Sequence, residues 1–350
     1  MIYLRAKIFI VRRINLSTLK DVAQLANVHP ATVSRALNNV SYVKPETKAR
    51  IIAAAAELNY HADVFARSFK KGIRYTIGVV VPNVHMTIFD DIIQCIETKA
   101  RALGYYILFC HTNDDPEIEA QCLNRLRAGF VDGIIIASTG QNNALLREIH
   151  LQGIAIVQIV RNHDEKLSSV VSDYEEACYK AVHYLYDKGC REIALINGPS
   201  LGRFAIKPYK TRYEGYKRAV NELGLRAICE FTDGVINSFA SGVSCAKKLL
   251  DENPETDAIM TAVDVYGMAA LRLLRERNIK VPDKIKVVSL TGYSVGNLLE
   301  RSLTSFELSA KEIGDSATQI VIEEIEAKAD NKPLVRHLTF AATLSERESS

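Results

Sequence analysis

The sequence predicts an α/β protein that begins with a small all-helical domain and continues as a body of two doubly wound, parallel-sheet lobes. At 350 residues the chain is too long for a single hydrophobic core. Three short helical patterns follow one another over residues 18–58. From Thr76 onward, apolar runs of strand length alternate with amphipathic helices, and this rhythm restarts at Ile193. Such alternation is typical of parallel sheets covered on both faces. The strand runs are 77–81, 106–109, 133–137, 155–159, 193–196, 258–260 and 286–290.

Charge is distributed unevenly along the chain. Residues 1–74 hold 13 Lys and Arg against 4 Asp and Glu, whereas the rest of the chain holds 31 against 37. A basic head on an acidic body favours contact between the head and a polyanion. On charge alone, a solvated basic face explains the same numbers.

Composition and cysteine usage indicate a cytoplasmic protein without a membrane segment. No apolar run approaches the roughly 20 residues that span a bilayer. The first residues lack the charge-then-apolar order of a secretory signal. Seven scattered cysteines form no C-x-x-C pair, which is typical of reduced, buried thiols.

The first 60 residues have the signals of a helix-turn-helix. Thr18 can cap a helix whose apolar residues recur on one face, and Asn27 tolerates the left-handed conformation needed after it. Pro30 opens a second short helix, and Pro45 starts a third that continues to Leu58. On the second helix, small hydroxyl and methyl groups beside an arginine face outward. Such a surface suits entry into a major groove.

This head resembles the lactose-repressor/galactose-repressor (LacI/GalR) family of transcription regulators. The resemblance is carried by TLKDVAQLANVHPATVSRALNN at 18–39, VKPETKARI at 43–51 and LNY at 58–60. It implies that residues 29–38 include the recognition helix, with His29, Pro30 and Ala31 as the variable base-reading positions. It also implies shared operator and phosphate contacts from Thr32, Ser34, Arg35 and Asn38. We count Tyr42 among the DNA-binding residues as well.

Residues 61–72 follow as a candidate hinge. Asp63 can cap a six-residue helix over 64–69, which is too short to be stable without a partner. The family resemblance implies that this helix pairs with its dimer mate in the minor groove, with Phe69 as the wedge between base pairs. A linker aromatic that packs on the body is the alternative.

The body resembles the same family over essentially its whole length, for example in VDGII at 131–135, RYEGY at 212–216 and IKVPD at 279–283. The resemblance implies a periplasmic-binding-protein-like fold, a homodimer through the body and an effector between the lobes. The expected divisions are an extra N-terminal arm (1–17), the headpiece (18–60), the hinge and linker (61–74) and the body (75–350). Within the body, we expect one lobe over about 75–187 and 307–329, and the other over about 188–306 and 330–346.

The effector residues transfer from the family only in part. Asp173 and Arg212 match the carboxylate and arginine that grip a polar ligand, and Asn237 is a further candidate. Asp264 also matches, but Val263, Thr291 and Leu308 stand where polar groups are usual. The basic residues Arg203, Lys207 and Lys210 lie just before Arg212 and form either a solvated loop or the edge of an anion-binding cleft. We therefore expect a sugar or sugar derivative, including phosphorylated ones, as effector, and no other cofactor.

A transport receptor and an enzyme are the two alternative classes of function. A transport-type sugar receptor needs a secretory signal and has no DNA-binding head. A nucleotide enzyme needs a P-loop or G-x-G-x-x-G, and the sequence contains neither. The G-x-S-x-G pattern of hydrolases occurs once, as GPSLG at 198–202. No histidine pair has metal-ligand spacing. The sequence therefore predicts a cytoplasmic, dimeric regulator, a repressor of a carbohydrate-related operon, that binds double-stranded operator DNA.

Overall fold

A computed structural model describes residues 17–38, 42–58, 60, 73–82, 87–202, 206–233, 238–292, 294–327 and 335–350. The chain divides into two units, residues 1–73 and residues 74–350. We call the first unit the headpiece and the second the body. Within the described ranges, no helix is both long enough and apolar enough to cross a membrane.

The headpiece contains three helices around a small apolar core. They are α1 (Leu19–Leu25), α2 (Pro30–Asn38) and α3 (Pro45–Glu57). Each helix contributes buried side chains to the core: Val22, Ala23, Ala26, Val33, Ala36, Ile51, Ala54 and Ala55. The predicted helix-turn-helix with a supporting third helix is confirmed.

Local signals at both ends of α1 fix the turn between α1 and α2. The Thr18 hydroxyl accepts a hydrogen bond from the Asp21 amide, and the Asp21 carboxylate accepts from the Thr18 amide at 2.7 Å. This reciprocal pair is a capping box, which satisfies amides that the first helical turn leaves open. At the other end Asn27 has φ +49°, the left-handed conformation expected of it.

The body alternates strands and helices from Thr76 onward. Its first half contains β1 (Thr76–Val81), α4 (Thr87–Ala102), β2 (Tyr106–His111), α5 (Pro116–Arg127), β3 (Gly133–Ile136), α6 (Asn143–Leu151), β4 (Ala155–Ile159), β5 (Ser168–Ser172) and α7 (Tyr174–Asp187). Its second half contains β6 (Ile193–Asn197), α8 (Lys207–Glu222), β7 (Ile228–Phe231), α9 (Phe239–Glu252), β8 (Ala258–Thr261), α10 (Asp264–Glu276), β9 (Lys286–Ser289), a 3-10 turn (Ser294–Leu298), β10 (Thr304–Glu307), α11 (Ala310–Ala327), β11 (His337–Phe340) and β12 (Thr343–Ser345).

These strands form two six-stranded sheets, as the two runs of apolar segments predict. The first sheet has the order β11-β5-β4-β3-β1-β2 and is parallel throughout. The second has the order β12-β10-β9-β8-β6-β7 and is parallel except for β12. Because the carboxyl ends of parallel strands lie at one edge of a sheet, loops that follow the strands meet there.

The expected lobe boundaries need correction in two places. Helix α7, which was expected in the first lobe, packs on the second sheet, because its apolar residues Cys178, Ala181 and Leu185 share a core with Ile193 and Leu195. The chain therefore crosses between the lobes before Tyr174 rather than after residue 187.

The second correction concerns β11, which was expected in the second lobe within 330–346. It pairs with β5 in the first sheet, where His337 lies opposite Ser169 and Phe340 opposite Ser172. Only β12 returns to the second sheet, antiparallel to β10. A four-residue strand without a long apolar run carries too weak a sequence signal to assign to a sheet.

We expect Thr18→Ala to loosen α1 by about 1 kcal/mol, because the variant loses the side-chain half of the capping box. In hydrogen exchange of the full chain, amides of α1 should then exchange about fivefold faster. Gln24→Ala, on the exposed side of the same helix, is the control and should leave exchange unchanged. Equal exchange in wild type and Thr18→Ala would show that the cap does not stabilise the helix.

Candidate DNA-reading helix and inter-lobe cleft

Helix α2 presents one face to the core and the other to solvent. Val33 and Ala36 are buried, whereas Ala31 and Arg35 are exposed. Thr32 and Ser34 are half-buried at the margin between the two faces. The sequence-predicted outward residues therefore share one side of a short helix, the arrangement that a groove-reading helix requires.

His29 is fixed at the start of this helix. Its ring Nδ1 accepts a hydrogen bond from the Ala31 amide at 3.2 Å. A ring that accepts through Nδ1 carries its proton on Nε2, so the exposed edge of His29 offers a donor. Pro30, between them, begins α2 and is half-buried.

The structure describes only some of the remaining residues that were predicted to contact DNA. Tyr42 is 85% exposed and lies in the segment between α2 and α3. Asn38 ends α2, but its side chain lies outside the described part of the structure, as do Phe69 and the tentative cleft residue Asn237.

Arg212 lies on α8 and is only 3% exposed. Its guanidinium stacks over the ring of Tyr174, with 4.5 Å between the guanidinium carbon and the ring centroid. Within the described ranges its Nε has no hydrogen-bond partner, and no Asp or Glu forms an ion pair with it. A buried charge without a counterion costs several kcal/mol, so this side chain is a candidate to bind a polar or anionic ligand.

Asp173 is the other expected gripping residue. It is the N-cap of α7, where its carboxylate accepts from the Glu176 amide at 3.0 Å. Its own amide donates to the Phe340 carbonyl at 2.9 Å, which ties the crossing segment to β11. In the described structure no hydrogen bond joins Asp173 to Arg212. The neighbouring Tyr174 contacts the arginine instead.

The other expected effector positions turn inward. Val263 and Leu308 are buried in the apolar cores of the second and first lobes. Thr291 is 6% exposed, and its hydroxyl accepts from the Asp264 amide at 3.2 Å and donates to the Asp264 carboxylate at 3.4 Å. This hydroxyl is therefore already engaged within the protein.

Asp264 is a buried carboxyl at the start of α10. Its Oδ1 accepts from the Ser289 hydroxyl as well as from Thr291, and its Oδ2 has no partner among the described residues. Burial raises the pKa of this carboxyl to about 6, against the lowering effect of both hydroxyl groups. The group is thus poised to hold a proton below neutral pH.

Sequence reasoning missed a buried ion pair at the same edge of the first sheet. Arg161, just after β4, is 1% exposed and grips Asp114, after β2, with both terminal nitrogens, one of them at 3.0 Å. The turn before it is tight, because the Arg161 amide donates to the Ile159 carbonyl at 2.6 Å across Val160. Val160 has φ +63°, which is strained for a β-branched residue. The rule that ligands lie beyond strand ends pointed to both loops.

Unpartnered buried polar atoms gather beyond the ends of β2, β4 and β5 and on α8. Among the described residues they are Thr112 Oγ1, Arg161 Nε, Asn162 Oδ1, His163 Nε2, Ser172 Oγ and Arg212 Nε. Native proteins leave few such groups unsatisfied, so their concentration at one place indicates a site for a polar ligand.

Two basic residues complete this cleft. Burial lowers the pKa of His163 to about 4, helped by the charges of Arg161 and Lys207, so its ring is neutral at pH 7. The Lys207 ammonium donates to the Asn162 carbonyl at 3.1 Å and so joins α8 to the loop after β4. Lys207 and Lys210 are exposed, and Arg203 lies outside the described residues. Across the described chain, no cluster of His, Cys, Asp and Glu could hold a metal ion.

Two family models match the chain. Residues 18–63 match "Bacterial regulatory proteins, lacI family", and residues 74–341 match "Periplasmic binding proteins and sugar binding domain of LacI family". The chain belongs to the LacI family. It is accordingly a DNA-binding transcription regulator controlled by a small-molecule effector and not an enzyme. The match of the LacI headpiece to regulatory proteins also sets aside the transport-type receptor.

Named relatives and solved structures agree with this LacI-family assignment. The chain is 30% identical to the ribose operon repressor of Halalkalibacterium halodurans, over 89% of this chain and 92% of that protein. It is 28% identical to the transcriptional repressor PurR of Pasteurella multocida, over 91% and 95%. A complex of the regulator CelR with cellobiose has a TM-score of 0.71 at 25% identity, over 95% of this chain and 100% of that one. The lac repressor dimer bound to operator and the anti-inducer ONPF has a TM-score of 0.85 at 22% identity, over 96% and 99%, which shows the shared fold.

The shifted pKa of Asp264 predicts how stability depends on pH. Its folded pKa of about 6 lies above the ordinary 3.8, so its protonation favours the fold at low pH, and this contribution is lost as pH rises through 6. The excess stability of wild type over Asp264→Asn should therefore fall by about 2 kcal/mol between pH 4 and pH 7.

Urea unfolding of both proteins at the two pH values, followed by circular dichroism, measures this change. The depressed pKa of His163 acts in the opposite direction, but it is present in both proteins and cancels in the difference. Asp283→Asn, at an exposed carboxylate, is the control and should show no such change. A difference independent of pH would contradict the raised pKa.

Proposed function

We propose that this LacI-family regulator is a cytoplasmic homodimer that represses a carbohydrate-related operon and is controlled by a small polar effector bound between the two body lobes. The observation that carries the DNA half of this proposal is the exposed face of α2, where Ala31 and Arg35 lie on the same side. The observation that supports the effector half is Arg212, which is buried and has no ion-pair partner among the described residues. The names of the ribose operon repressor and the CelR–cellobiose complex favour a sugar-type effector.

In this proposal the residues of α2 divide between reading and positioning. His29, Pro30 and Ala31 lie at the helix start, where a recognition helix meets base edges. The His29 Nε2 proton can be donated to an acceptor such as guanine O6 or N7. Arg35, Thr32, Ser34 and Asn38 supply operator and phosphate contacts, with Tyr42 beside them. Two copies related by a two-fold axis would read inverted half-sites.

Arg35→Ala should weaken specific operator binding by about tenfold or more, because it removes a charged donor from the reading face. Fluorescence anisotropy with an operator selected from random DNA measures the affinity, and wild-type binding should weaken steeply as salt rises. Arg50→Ala removes the same charge from the exposed side of α3 and is the matched control. Equal affinity of wild type for operator and scrambled DNA would overturn the proposal.

Phe69 is proposed as the hinge wedge that opens a pyrimidine–purine step at the operator centre. Phe69→Ala should lower specific affinity and reduce DNA bending in a gel-shift assay with permuted sites, whereas Phe69→Leu should retain both. Dimerisation should not change in either variant. Unchanged bending in Phe69→Ala, together with a less stable body, would favour the alternative in which this ring packs on the body.

The homodimer is supported by the edge strand β2. Tyr106, Leu108 and Phe109 are 66%, 41% and 39% exposed along this one strand of the first sheet. Proteins rarely leave a long apolar edge uncovered, because it invites pairing with other chains. A second copy of the same chain is the proposed cover, since the family resemblance implies a dimer through the body.

Leu108→Asp should therefore weaken dimerisation at least about tenfold, because a carboxylate would be desolvated in the interface. Sedimentation velocity over a concentration series measures the dimer population. Leu151→Asp is the matched control, since Leu151 is an apolar residue of the same lobe that is 86% exposed on α6. An unchanged dimer in Leu108→Asp, or a monomeric wild type, would remove β2 from the interface.

The effector is proposed to be a sugar or sugar derivative with an acidic group, including phosphorylated sugars. Arg212 supplies the charge-assisted bonds, and the polar atoms beyond β2, β4 and β5 supply the remaining partners. Thr291 has its hydroxyl engaged with Asp264, and Val263 and Leu308 are buried in apolar cores. The second lobe therefore offers few groups for sugar hydroxyls, which favours recognition of the acidic end.

A further inference from the structure

The cleft contains two buried guanidinium groups in different electrostatic situations. Arg161 is 1% exposed and is neutralised by Asp114, which is 4% exposed and lies bidentate to it. Arg212 is 3% exposed and has no carboxylate partner in the described structure. One arginine thus carries an internal counterion and the other does not.

The two guanidinium groups share neighbours and therefore share one space. Burial raises the pKa of Tyr174 to about 12, while the charges of Arg212 and then Arg161 act in the opposite direction. The same two arginines act on the pKa of Tyr209, on α8, which burial also raises. The Tyr174 hydroxyl donates to the Val160 carbonyl at 3.0 Å, directly before Arg161. Tyr174 therefore bridges the strained turn of one lobe and the unpaired arginine of the other.

The charge balance of this space follows from the pairing. Arg161 and Asp114 cancel, and His163 is neutral at pH 7, so among these described residues Arg212 leaves one buried positive charge without a partner. Lys207 is exposed and its charge is screened by solvent. A ligand with one negative charge balances Arg212. A phosphate monoester carries about 1.5 to 2 negative charges at pH 7, which is more than Arg212 alone balances.

We propose that Asp114 is a specificity-determining residue, which reserves the cleft for an effector with a single negative charge, a carboxylate such as that of a sugar acid, over a phosphate ester. The proposal rests on the effector site proposed above and narrows the ligand that it takes. Asp114 acts by occupying Arg161 from within the protein. The effector anion then meets Arg212, and the hydroxyl groups meet the unpartnered atoms of Thr112, Asn162 and Ser172.

The test uses the full chain and two simple anions, acetate and inorganic phosphate, at pH 7.5 and constant ionic strength. Thermal unfolding gives the apparent affinity of each anion, because binding to the folded state raises its stability. Subtracting the same titration of Arg212→Gln isolates the part that depends on Arg212. We expect wild type to bind acetate more tightly than phosphate by this measure.

Asp114→Asn should reverse the order, with phosphate affinity rising about tenfold or more, because it frees Arg161 and removes a nearby negative charge. The double variant Asp114→Asn, Arg161→Gln has the same net charge as wild type and should restore the preference for acetate. Asp115→Asn, at the neighbouring half-buried cap of α5, is the matched control and should behave as wild type. If Asp114→Asn does not fold, the acetate and phosphate affinities of wild type and of the double variant still test the proposal.

Three results would overturn the proposal. They are a wild-type, Arg212-dependent preference for phosphate, an unchanged preference in folded Asp114→Asn, and no Arg212-dependent binding of either anion. Operator binding measured on the same wild-type sample separates failure to bind either anion from failure of the proposed function. A protein that binds operator and responds to a neutral sugar, but binds neither anion, keeps the function and loses the charge selectivity.

Discussion

Arg212 is buried between the lobes, and the ligand binding proposed for the body depends on this burial. A guanidinium that is 3% exposed and stacked on Tyr174 has lost most of its hydration, and the described residues provide no carboxylate in return. The cost of such a charge is several kcal/mol when nothing balances it. A bound anion recovers that cost only in the arrangement that brings it to Arg212.

Contacts at strand ends and helix starts hold the surroundings of Arg212 in place. Parallel strands bring the loops after β2 and β4 together, so Asp114 and Arg161 can pair although they are 47 residues apart. The chain then crosses to the second lobe at Asp173, whose cap on α7 fixes Tyr174 beneath Arg212. Lys207, on α8, donates a hydrogen bond to the Asn162 carbonyl in the loop after β4. Each contact is local to a strand end or a helix start, which is why one edge of each sheet can carry the site.

The parts that could be predicted from sequence are those with local or periodic signals. The Thr18 cap, the left-handed Asn27 and the apolar strand runs each depend on nearby residues, and the structure confirms them. Short polar strands such as β5 and β11 carry no such signal, and the lobe that α7 joins depends on packing with distant residues. The Arg161–Asp114 pair was missed for the same reason, because two loops become neighbours only when the sheet forms. Thr291 was placed at the correct edge, but its engagement with Asp264 required coordinates.

The most direct measurement is a crystal structure of the full chain grown in selenate, with anomalous data collected at the selenium edge. Selenate is used because its anomalous signal locates an anion without any assumption about the natural effector. We expect an anomalous peak within hydrogen-bonding distance of the Arg212 guanidinium, with Arg161 still paired to Asp114. A structure in which a protein carboxylate neutralises Arg212, with no anion at the guanidinium, would show that Arg212 is not an anion-binding residue.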